Sequence, residues 1–471
     1  MADSNTTQKN KPGLIRQLNL FDSTMMLMGI IIGSGVYMTT GDMAQHIPSA
    51  GLLLLAWIVG GLLALFGALS FAELGAAMPH AGGQYIYLKE AYAPLWGYLF
   101  GWMLFFVAMG GSIATLGAGF ARYVGYFLPA LATDHPFFET DLQLFGAAHK
   151  YSLSYGHFVA IAAILILSFF NYIGVVFGKW IQNIITVIKI GTLLLFIILG
   201  LSIGKTTSID FTLNPENIPI TKLITGFTVA LIAVFWAYDG WHNLNYITGE
   251  IKNPKRNLPL AIILGTFLIM LLYLMMNYVY LRAMPPSDMA GVERIAEHTG
   301  TILFGEKAAT WISAAVLISV FGALNGAIFV APRVYYAMAR DGLFFKKVAQ
   351  IHPRFRTPTF AIIIQAFWAS ILALSGTFDQ LYTYTIFATL LFATATVIAV
   401  FTMRKTHPHM PRPYKTWGYP VVPAIFILAC ACICANTLRA QETRVPSIAG
   451  LGFVALGIPV YYYWKSKQKS P

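Results

Sequence analysis

Three small residues interrupt the first apolar stretch of this 471-residue chain. The stretch reads GIIIGSGVY and places Gly33, Ser34 and Gly35 in the middle of an otherwise apolar run. A glycine inside a helix costs about 1 kcal/mol relative to alanine, so two glycines around a serine predict a break. At such a break the amides of Ser34, Gly35 and Val36 begin a second half-helix, whose positive end suits a carboxylate. The alternative is a small-residue contact between packed helices.

A second polar interruption lies in the sixth apolar stretch, where FWAYDGWHNLN follows GFTVALIAV. We expect free carbonyls near Trp236 and Asp239 here, and near Ile31 at the first break, and carbonyl oxygens accept hydrogen bonds from an ammonium group. Donors for an anion beside acceptors for a cation fit the backbone of an α-amino acid, so the paired breaks favour a binding site over a packing contact. The predicted substrate-binding residues are Ile31, Gly33, Ser34, Gly35, Trp236, Ala237, Tyr238 and Asp239.

The elements that carry these breaks are predicted to be membrane spans. The chain is 57% hydrophobic and 11% charged, outside the usual range of soluble domains. A window of about 20 residues predicts about twelve spans, and we therefore expect an all-α membrane protein. The expected spans are 19-41, 50-77, 93-128, 156-172, 180-203, 221-246, 258-283, 303-338, 359-376, 379-403, 419-438 and 446-464. The loop around residues 129-155 is expected to be an irregular cap.

Each break lies in the first helix of a block of five, and two helices remain after the second block. Interrupted helices at matching places in two halves indicate an inverted-repeat transporter with a site at the membrane midplane. The predicted divisions are an N-terminal segment at 1-18, a transport core at 19-403 with repeats at about 19-203 and 221-403, two further helices and their preceding loop at 404-464, and a tail at 465-471.

The distribution of basic residues predicts the orientation. With the N-terminus inside, about twenty Lys and Arg residues fall on the cytoplasmic side and about nine on the other. We therefore expect both termini in the cytoplasm and the chain in the cell membrane as a multi-pass protein. The net charge of +12 follows from this topology, so it does not indicate a nucleic-acid partner.

Three stretches resemble the L-amino acid transporter family of the amino acid-polyamine-organocation superfamily: IIGSGVY, ELGAAMPHAGGQYIYLKEAY and AYDGWHNLNYITGEIKNPKRNLPLAI. The resemblance continues through RPYKTWGYP and so covers nearly the whole chain. It implies a LeuT-like fold of five plus five inverted helices with two more, and sodium-independent exchange of amino acids by alternating access. It also implies that Ser34 and Gly35 hold the substrate carboxylate, that the carbonyls of Ile31 and Trp236 hold the amine, and that Trp236 closes over the substrate. Asp239 and His242 depart from residues frequent in the family, which leaves the side-chain preference open.

Lys189 is a charged residue roughly 13 Å into the fifth predicted span, given a rise of about 1.5 Å per residue. A charge at such depth is a functional hypothesis by default. The resemblance, through QNIITVIK, places Lys189 beside the first break, where sodium-coupled relatives bind a cation. We expect its ammonium group to replace that ion and hold helix 1 by its carbonyls. The alternatives are a proton carrier and a purely structural lysine.

Other polar residues inside the spans allow several interpretations. Asp239 could bind a cationic side chain or a proton, or accept hydrogen bonds at a helix end. Ser112 and Asn325 could line a side-chain pocket or bond across helices. Glu73 and Arg333 lie near the inner ends of their spans, where ion pairs serve either gating or anchoring.

The predicted function is sodium-independent exchange of neutral L-amino acids. Proton-coupled symport, exchange of cationic amino acids or polyamines, and a non-transporting amino acid sensor remain alternatives. We find no grouping of a nucleophile with a base, so an enzyme is not expected, nor is a metal or cofactor. The cysteines all lie in one predicted span, so no disulfide-linked heavy subunit is expected, and the chain should be a monomer or a weak homo-oligomer. They are Cys430, Cys432 and Cys434.

Overall fold

The computed structural model describes residues 14–133, 135–144, 147–203, 208–214, 218–375, 378–439 and 441–469. The α-helices of these ranges are α1 (Leu20–Ile31), α2 (Gly35–His46), α3 (Ala50–Ala77), α4 (Gln84–Ala91), α5 (Pro94–Met103), α6 (Met109–Phe127), α7 (Tyr155–Ile173), α8 (Val175–Ser202), α9 (Ile220–Tyr238), α10 (Pro254–Ala283), α11 (Pro286–Met289), α12 (Ile295–Phe304), α13 (Glu306–Val330), α14 (Pro332–Arg340), α15 (Thr359–Ser375), α16 (Phe378–Thr406), α17 (Val421–Arg439) and α18 (Gln441–Lys469). A π-helix covers Leu104–Ala108, and 3-10 helices cover Pro129–Leu131, Asn243–Glu250 and Lys346–Ala349. The strands are β1 (Pro136–Leu144) and β2 (Ala147–Ser154).

The predicted all-α membrane fold is confirmed. In the described ranges, eleven helical segments are long and apolar enough to cross a membrane, and α15 is a shorter apolar helix of 17 residues. Together these twelve segments correspond to the twelve predicted spans. Several spans are built from two consecutive elements, such as α1 with α2 and α13 with α14.

Both predicted breaks are present. α1 ends at Ile31 and α2 begins at Gly35, while α9 ends at Tyr238 and the following 3-10 helix begins at Asn243. Gly240 in the second break has a φ of +104°, a conformation that side chains with a Cβ rarely adopt. The breaks therefore lie in the first and the sixth span, as the sequence predicts.

The loop expected to be an irregular cap is instead an antiparallel hairpin of β1 and β2. Glu139 pairs with Ser152 and Thr140 pairs with Tyr151. The rings of Phe138 and Tyr151 lie 6.5 Å apart across the strands, a contact of the kind that stabilises paired strands. The expectation was wrong because the acidic residues and prolines of the loop indicate irregular structure, while its aromatic residues do not by themselves specify strand pairing.

The first and last residues of the described ranges lie on the same face of the bundle, which we call the amino-terminal face. Here the amides of Gln17 and Leu18 donate to the carbonyl of Glu250, at 2.8 and 2.9 Å. Near the last described residues, the side chain of Gln468 donates a hydrogen bond to the carbonyl of Asp341. Asp341 is the C-cap residue of α14, so α14 also ends on this face. The hairpin lies on the opposite face, which we call the hairpin face. There the amide of Gly291, between α11 and α12, donates to the carbonyl of Gly41 on α2, at 3.2 Å.

Candidate binding site at the helix breaks

The two breaks meet at a cavity of about 30 Å³. A volume of this size holds only a few atoms. Six of the eight predicted substrate-binding residues line it, together with residues from α6, α13 and the 3-10 helix after α9. The lining residues are Ile30, Ile31, Gly33, Ser34, Gly35, Ser112, Leu116, Trp236, Asp239, Asn243 and Ala327. The structure thus brings the two breaks together around one space.

The other two predicted residues, Ala237 and Tyr238, are not among the lining residues. The main chain of Ala237 packs against Gly35, where an added Cβ would lie 2.5 Å from the Ala237 Cα. Tyr238 donates from its hydroxyl group to the carbonyl of Trp57 at 3.3 Å, and its ring packs edge-on against the Trp57 ring. Both residues therefore fix the second break against α2 and α3.

The start of α2 lacks a capping side chain within the described residues. Ser34 occupies the N-cap position, but its side chain makes no capping hydrogen bond, and its Oγ has no partner in the described part of the chain. By contrast, α1 begins with a complete capping box of Asn19 and Asp22. The first amides of a helix need a partner when they are buried, and an anion can supply it. The start of α2 can therefore receive a carboxylate at the cavity.

The two carbonyls proposed for the amine accept hydrogen bonds within the protein. The hydroxyl group of Tyr273 donates to the carbonyl of Ile31 at 3.0 Å, and the amide of Asp239 donates to that of Trp236 at 3.1 Å. A carbonyl oxygen has two lone pairs, so it can accept more than one hydrogen bond. A related bond runs from the hydroxyl group of Tyr280 to the carbonyl of Val36, at 3.1 Å. Two tyrosines of α10 thus hold the chain on either side of the first break.

Lys189 lies behind the first break and is fully buried. Its ammonium group donates to the carbonyls of Gly29 and Ile32, at 2.8 and 2.7 Å, and the hydroxyl group of Ser319 donates to Ile32 at 3.2 Å. The last turn of α1 has unpaired carbonyls and a partial negative charge, so a cation there is favourable. Lys189 therefore lies where the resemblance implied, while its role in transport stays a prediction.

Lys189 is the last of a row of polar residues on the face of α8 that packs against α1. Lys179 and Asn183 bind the carboxylate of Asp22 at 3.1 and 2.7 Å, and Thr186 donates to a main-chain carbonyl of α1 at 3.1 Å. Spacings of three and four residues place these side chains on one helical face. Among these residues only Lys189 was predicted to act at the first break, although the spacing of polar residues in an apolar helix was a usable signal.

Of the two residues proposed for a side-chain pocket, the structure brings only Ser112 to the cavity. Asn325 instead accepts a hydrogen bond from Asn171 at 2.8 Å and donates to Gln182 at 2.7 Å. These three buried amides link α7, α13 and α8. Asn325 therefore bonds across helices, which was the alternative interpretation.

Two ion pairs hold the amino-terminal face together. Arg333 on α14 forms a buried bidentate pair with Glu250, with nitrogen–oxygen distances of 2.7 and 3.2 Å. Arg404 on α16 forms a second bidentate pair with Glu73 on α3, at 2.9 and 2.6 Å. The sequence suggested ion pairs near Glu73 and Arg333 but did not show their partners. The main-chain carbonyl of Glu250 also accepts hydrogen bonds from the amides of Gln17 and Leu18. The ion pair of Arg333 and Glu250 therefore adjoins the N-terminal segment.

A third polar cluster lies on this face, outside the membrane-spanning helices, at α4. Tyr85 and Lys89 both donate to the carboxylate of Asp341, at 2.7 and 2.8 Å. Burial and the neighbouring negative charge of Asp341 raise the pKa of Tyr85 above its ordinary value, so the hydroxyl group keeps its proton and remains a donor. The cluster ties α4 to the end of α14.

An all-α membrane fold in which two interrupted helices meet at a buried polar cavity is the class of LeuT-like transporters. The model of the family described as amino acid permease matches residues 18–454, and the chain belongs to this family.

Curated relatives cover nearly the whole chain. This chain is 32% identical over 464 residues to the Serine/threonine exchanger SteT of Bacillus subtilis (strain 168), and the match covers 97% of this chain and 99% of that protein. It is also 32% identical over 486 residues to the b(0,+)-type amino acid transporter 1 of Homo sapiens, covering 100% of this chain and 94% of that protein. The Cystine/glutamate transporter of Homo sapiens is 29% identical over 474 residues, covering 98% of this chain and 88% of that protein. These names agree with the predicted amino acid transport.

Proposed function

We propose that this protein is a secondary transporter that exchanges small neutral L-amino acids by alternating access, without sodium. The observation that carries the proposal is the uncapped start of α2 beside the carbonyls of Ile31 and Trp236, at one cavity. Amides at one end and carbonyl oxygens at the other suit the carboxylate and the ammonium group of a zwitterion. Ser34 and Gly35 receive the carboxylate, and Trp236 lies over the site.

Sodium independence is supported by the contacts of Lys189. Its ammonium group and the hydroxyl group of Ser319 already bind the carbonyls at the end of α1. A fixed positive charge supplies the electrostatic stabilisation that a bound cation would otherwise give to these oxygens. The names of two relatives, a serine/threonine exchanger and a cystine/glutamate transporter, are consistent with exchange of amino acids.

A cationic substrate is the second candidate, because Asp239 places a carboxyl group in the wall of the cavity. The neutral substrate is favoured because Asp239 adjoins the carbonyl of Trp236, where its negative charge can pair with the α-ammonium group of any amino acid.

We further propose that the amino-terminal face is cytoplasmic and that the protein works in the cell membrane without a disulfide-linked heavy subunit. The basic residues are concentrated in the segments that end on this face, which is the distribution of cytoplasmic loops. All three cysteines lie on α17 within the apolar part of the chain, which offers no external thiol.

Counterflow in proteoliposomes tests the proposal. Vesicles that contain the purified protein are loaded with unlabelled alanine, and labelled alanine is added outside. We expect label to accumulate only in loaded vesicles, and sodium-free buffer should not change this. Accumulation in empty vesicles under an acid-outside gradient would show proton symport instead. Binding of alanine without any accumulation would support a sensor and contradict transport.

The variant Asp239→Asn separates neutral from cationic substrates. If Asp239 pairs with the α-ammonium group, the variant should weaken counterflow of alanine and arginine alike. If Asp239 pairs with a cationic side chain, the variant should lose counterflow of arginine and keep counterflow of alanine. A cationic substrate would then replace the neutral one in the proposal.

A further inference from the structure

The walls of the cavity are arranged in two levels, one helical turn apart. The first level lies at Gly33, where an added Cβ would be 3.3 Å from the Cβ of Ala323 on α13 and 3.4 Å from a methyl group of Leu116 on α6. This level adjoins Ser34 at the start of α2, where the proposed function places the substrate carboxylate. Its other walls are apolar, so hydrogen bonds to a substrate side chain have to come from elsewhere.

The second level lies one turn closer to the amino-terminal face. α1 and the span of α5 and α6 begin near that face, and α13 runs toward it, so one turn along them leads to Ile30, Ser112 and Ala327, which all line the cavity. One turn advances a helix by about 5.4 Å. When the substrate carboxylate lies at the start of α2, a side chain with one or two carbon atoms beyond Cα is therefore long enough to reach the second level.

Asn243, which follows the second break, also lines the second level of the cavity. It is the first residue of the 3-10 helix after α9, and its amide donates to the carbonyl of Gly240 at 3.0 Å, which fixes its main chain. Its side chain is 3% exposed and lines the cavity, and its Oδ1 has no hydrogen-bond partner among the described residues. A buried polar atom without a partner is costly, and a ligand in the cavity can remove that cost.

We propose that Asn243 and Ser112 form a polar floor that selects substrates with a short, hydroxyl-bearing side chain; this rests on the proposed transport of neutral amino acids. A hydroxyl group both donates and accepts, and so do the amide of Asn243 and the hydroxyl group of Ser112. An alkyl side chain of the same shape leaves both groups unpaired in a closed cavity. The floor thus determines specificity while the half-helix ends bind the backbone common to all amino acids.

Threonine and valine form the matched pair of substrates for a test, because they differ only by a hydroxyl group in place of a methyl group. A site that hydrogen-bonds a substrate hydroxyl group discriminates strongly against an analogue that lacks it. We expect threonine to inhibit labelled alanine counterflow at a concentration at least about tenfold lower than valine does, a ratio that corresponds to about one strong hydrogen bond.

Three variants locate the discrimination. Asn243→Leu keeps the number and branching of the side-chain heavy atoms but removes the polar ones, and we expect the threonine-to-valine ratio, measured on the alanine counterflow that the variant retains, to fall close to one. Asn243→Ser restores a hydroxyl group and should restore much of the ratio, so it keeps the test valid if the leucine variant does not fold. Asn436→Leu makes the same substitution on α17, away from the lining residues, and should leave the ratio unchanged.

The outcomes separate this inference from the proposed function. Alanine counterflow with equal inhibition by threonine and valine would overturn the polar floor and leave the transporter proposal standing. An undiminished ratio in Asn243→Leu would exclude Asn243 as the specificity-determining residue. Failure of the unaltered protein to accumulate any labelled amino acid would overturn the proposed function itself, and the floor with it.

Discussion

Gly33 and Gly35 lie two residues apart in the first break, but the space around them differs. A Cβ on Gly33 would lie 3.3 Å or more from every neighbouring atom, and its two nearest neighbours are side-chain atoms, whereas a Cβ on Gly35 would lie 2.5 Å from the Cα of Ala237. We therefore predict that Gly33→Val folds but does not bind amino acid, because its branched side chain occupies the cavity. We predict that Gly35→Ala lowers the thermal stability of the protein, because main chain has to move.

The measurements are thermal unfolding in detergent and the shift of the melting temperature on adding alanine, since a ligand stabilises only a protein that binds it. Gly305→Ala is a useful comparison, because nothing lies within 4 Å of a Cβ at Gly305, although its positive φ adds strain. Normal counterflow by Gly33→Val would refute the placement of the substrate.

Lys189 carries the second prediction at this scale. Lys189→Met keeps most of the side-chain stem but removes both hydrogen bonds to the carbonyls of α1. A hydrogen bond to a charged group contributes about 1.5–3 kcal/mol, so the end of α1 should be held far less firmly. We expect the counterflow rate to fall by at least about tenfold. Lys255→Met, at an exposed position of α10, is the matched control, and equal rates in the two variants would remove the proposed role of Lys189.

At the scale of elements, the pair of Arg333 and Glu250 joins α14 to the 3-10 helix that ends the sixth span. Both side chains are almost completely buried, so removal of one partner leaves an unpaired buried charge, which costs about 3–5 kcal/mol. We predict that Arg333→Met and Glu250→Gln each lower the unfolding temperature strongly. The double variant should regain much of the loss, because no charge remains buried.

Unfolding temperatures of the two single variants, the double variant and the unaltered protein form a double-mutant cycle. Arg340→Met on the same helix, at an exposed position, serves as the control. Additive losses would mean that the two residues act independently, contrary to the contact between them.

The elements themselves could largely be predicted from sequence. Long apolar runs define the spans, and Gly33 with Gly35 and Asp239 with Gly240 mark the breaks, because local composition alone disfavours a helix there. The hairpin was missed because aromatic and polar residues in a loop do not specify strand pairing on their own. The link from Asn171 through Asn325 to Gln182 could not be predicted, because it depends on how residues from three distant helices face one another after packing.

Some residues of the candidate site could likewise be predicted from the sequence, and others could not. Residues of the breaks were predictable, since a main-chain site needs only the interruption of a helix. Ser112 was one option among several polar residues, and Asn243 was not considered, because its exposure to the cavity depends on the course of the chain after Gly240. Tyr238 was expected in the site from its position next to Asp239, but its side chain points to Trp57 instead.

For the whole molecule, we predict that transport does not depend on sodium. Choline chloride in place of sodium chloride should leave the rate and the half-saturating concentration of alanine counterflow unchanged, because Lys189 and Ser319 already bind the carbonyls that a cation would need. Counterflow measured over a series of sodium concentrations checks this. A steep dependence of the counterflow rate on sodium would contradict the role of Lys189 as a replacement for the ion.

Tyr273 and Tyr280 lie seven residues apart on α10 and clasp the two halves of the first span, one at the end of α1 and one at the start of α2. α10 is one continuous helix, so these two hydroxyl groups hold the end of α1 and the start of α2 at a fixed separation across the interruption. The distance between the last carbonyls of one half-helix and the first amides of the next is thus set by two turns of a third helix.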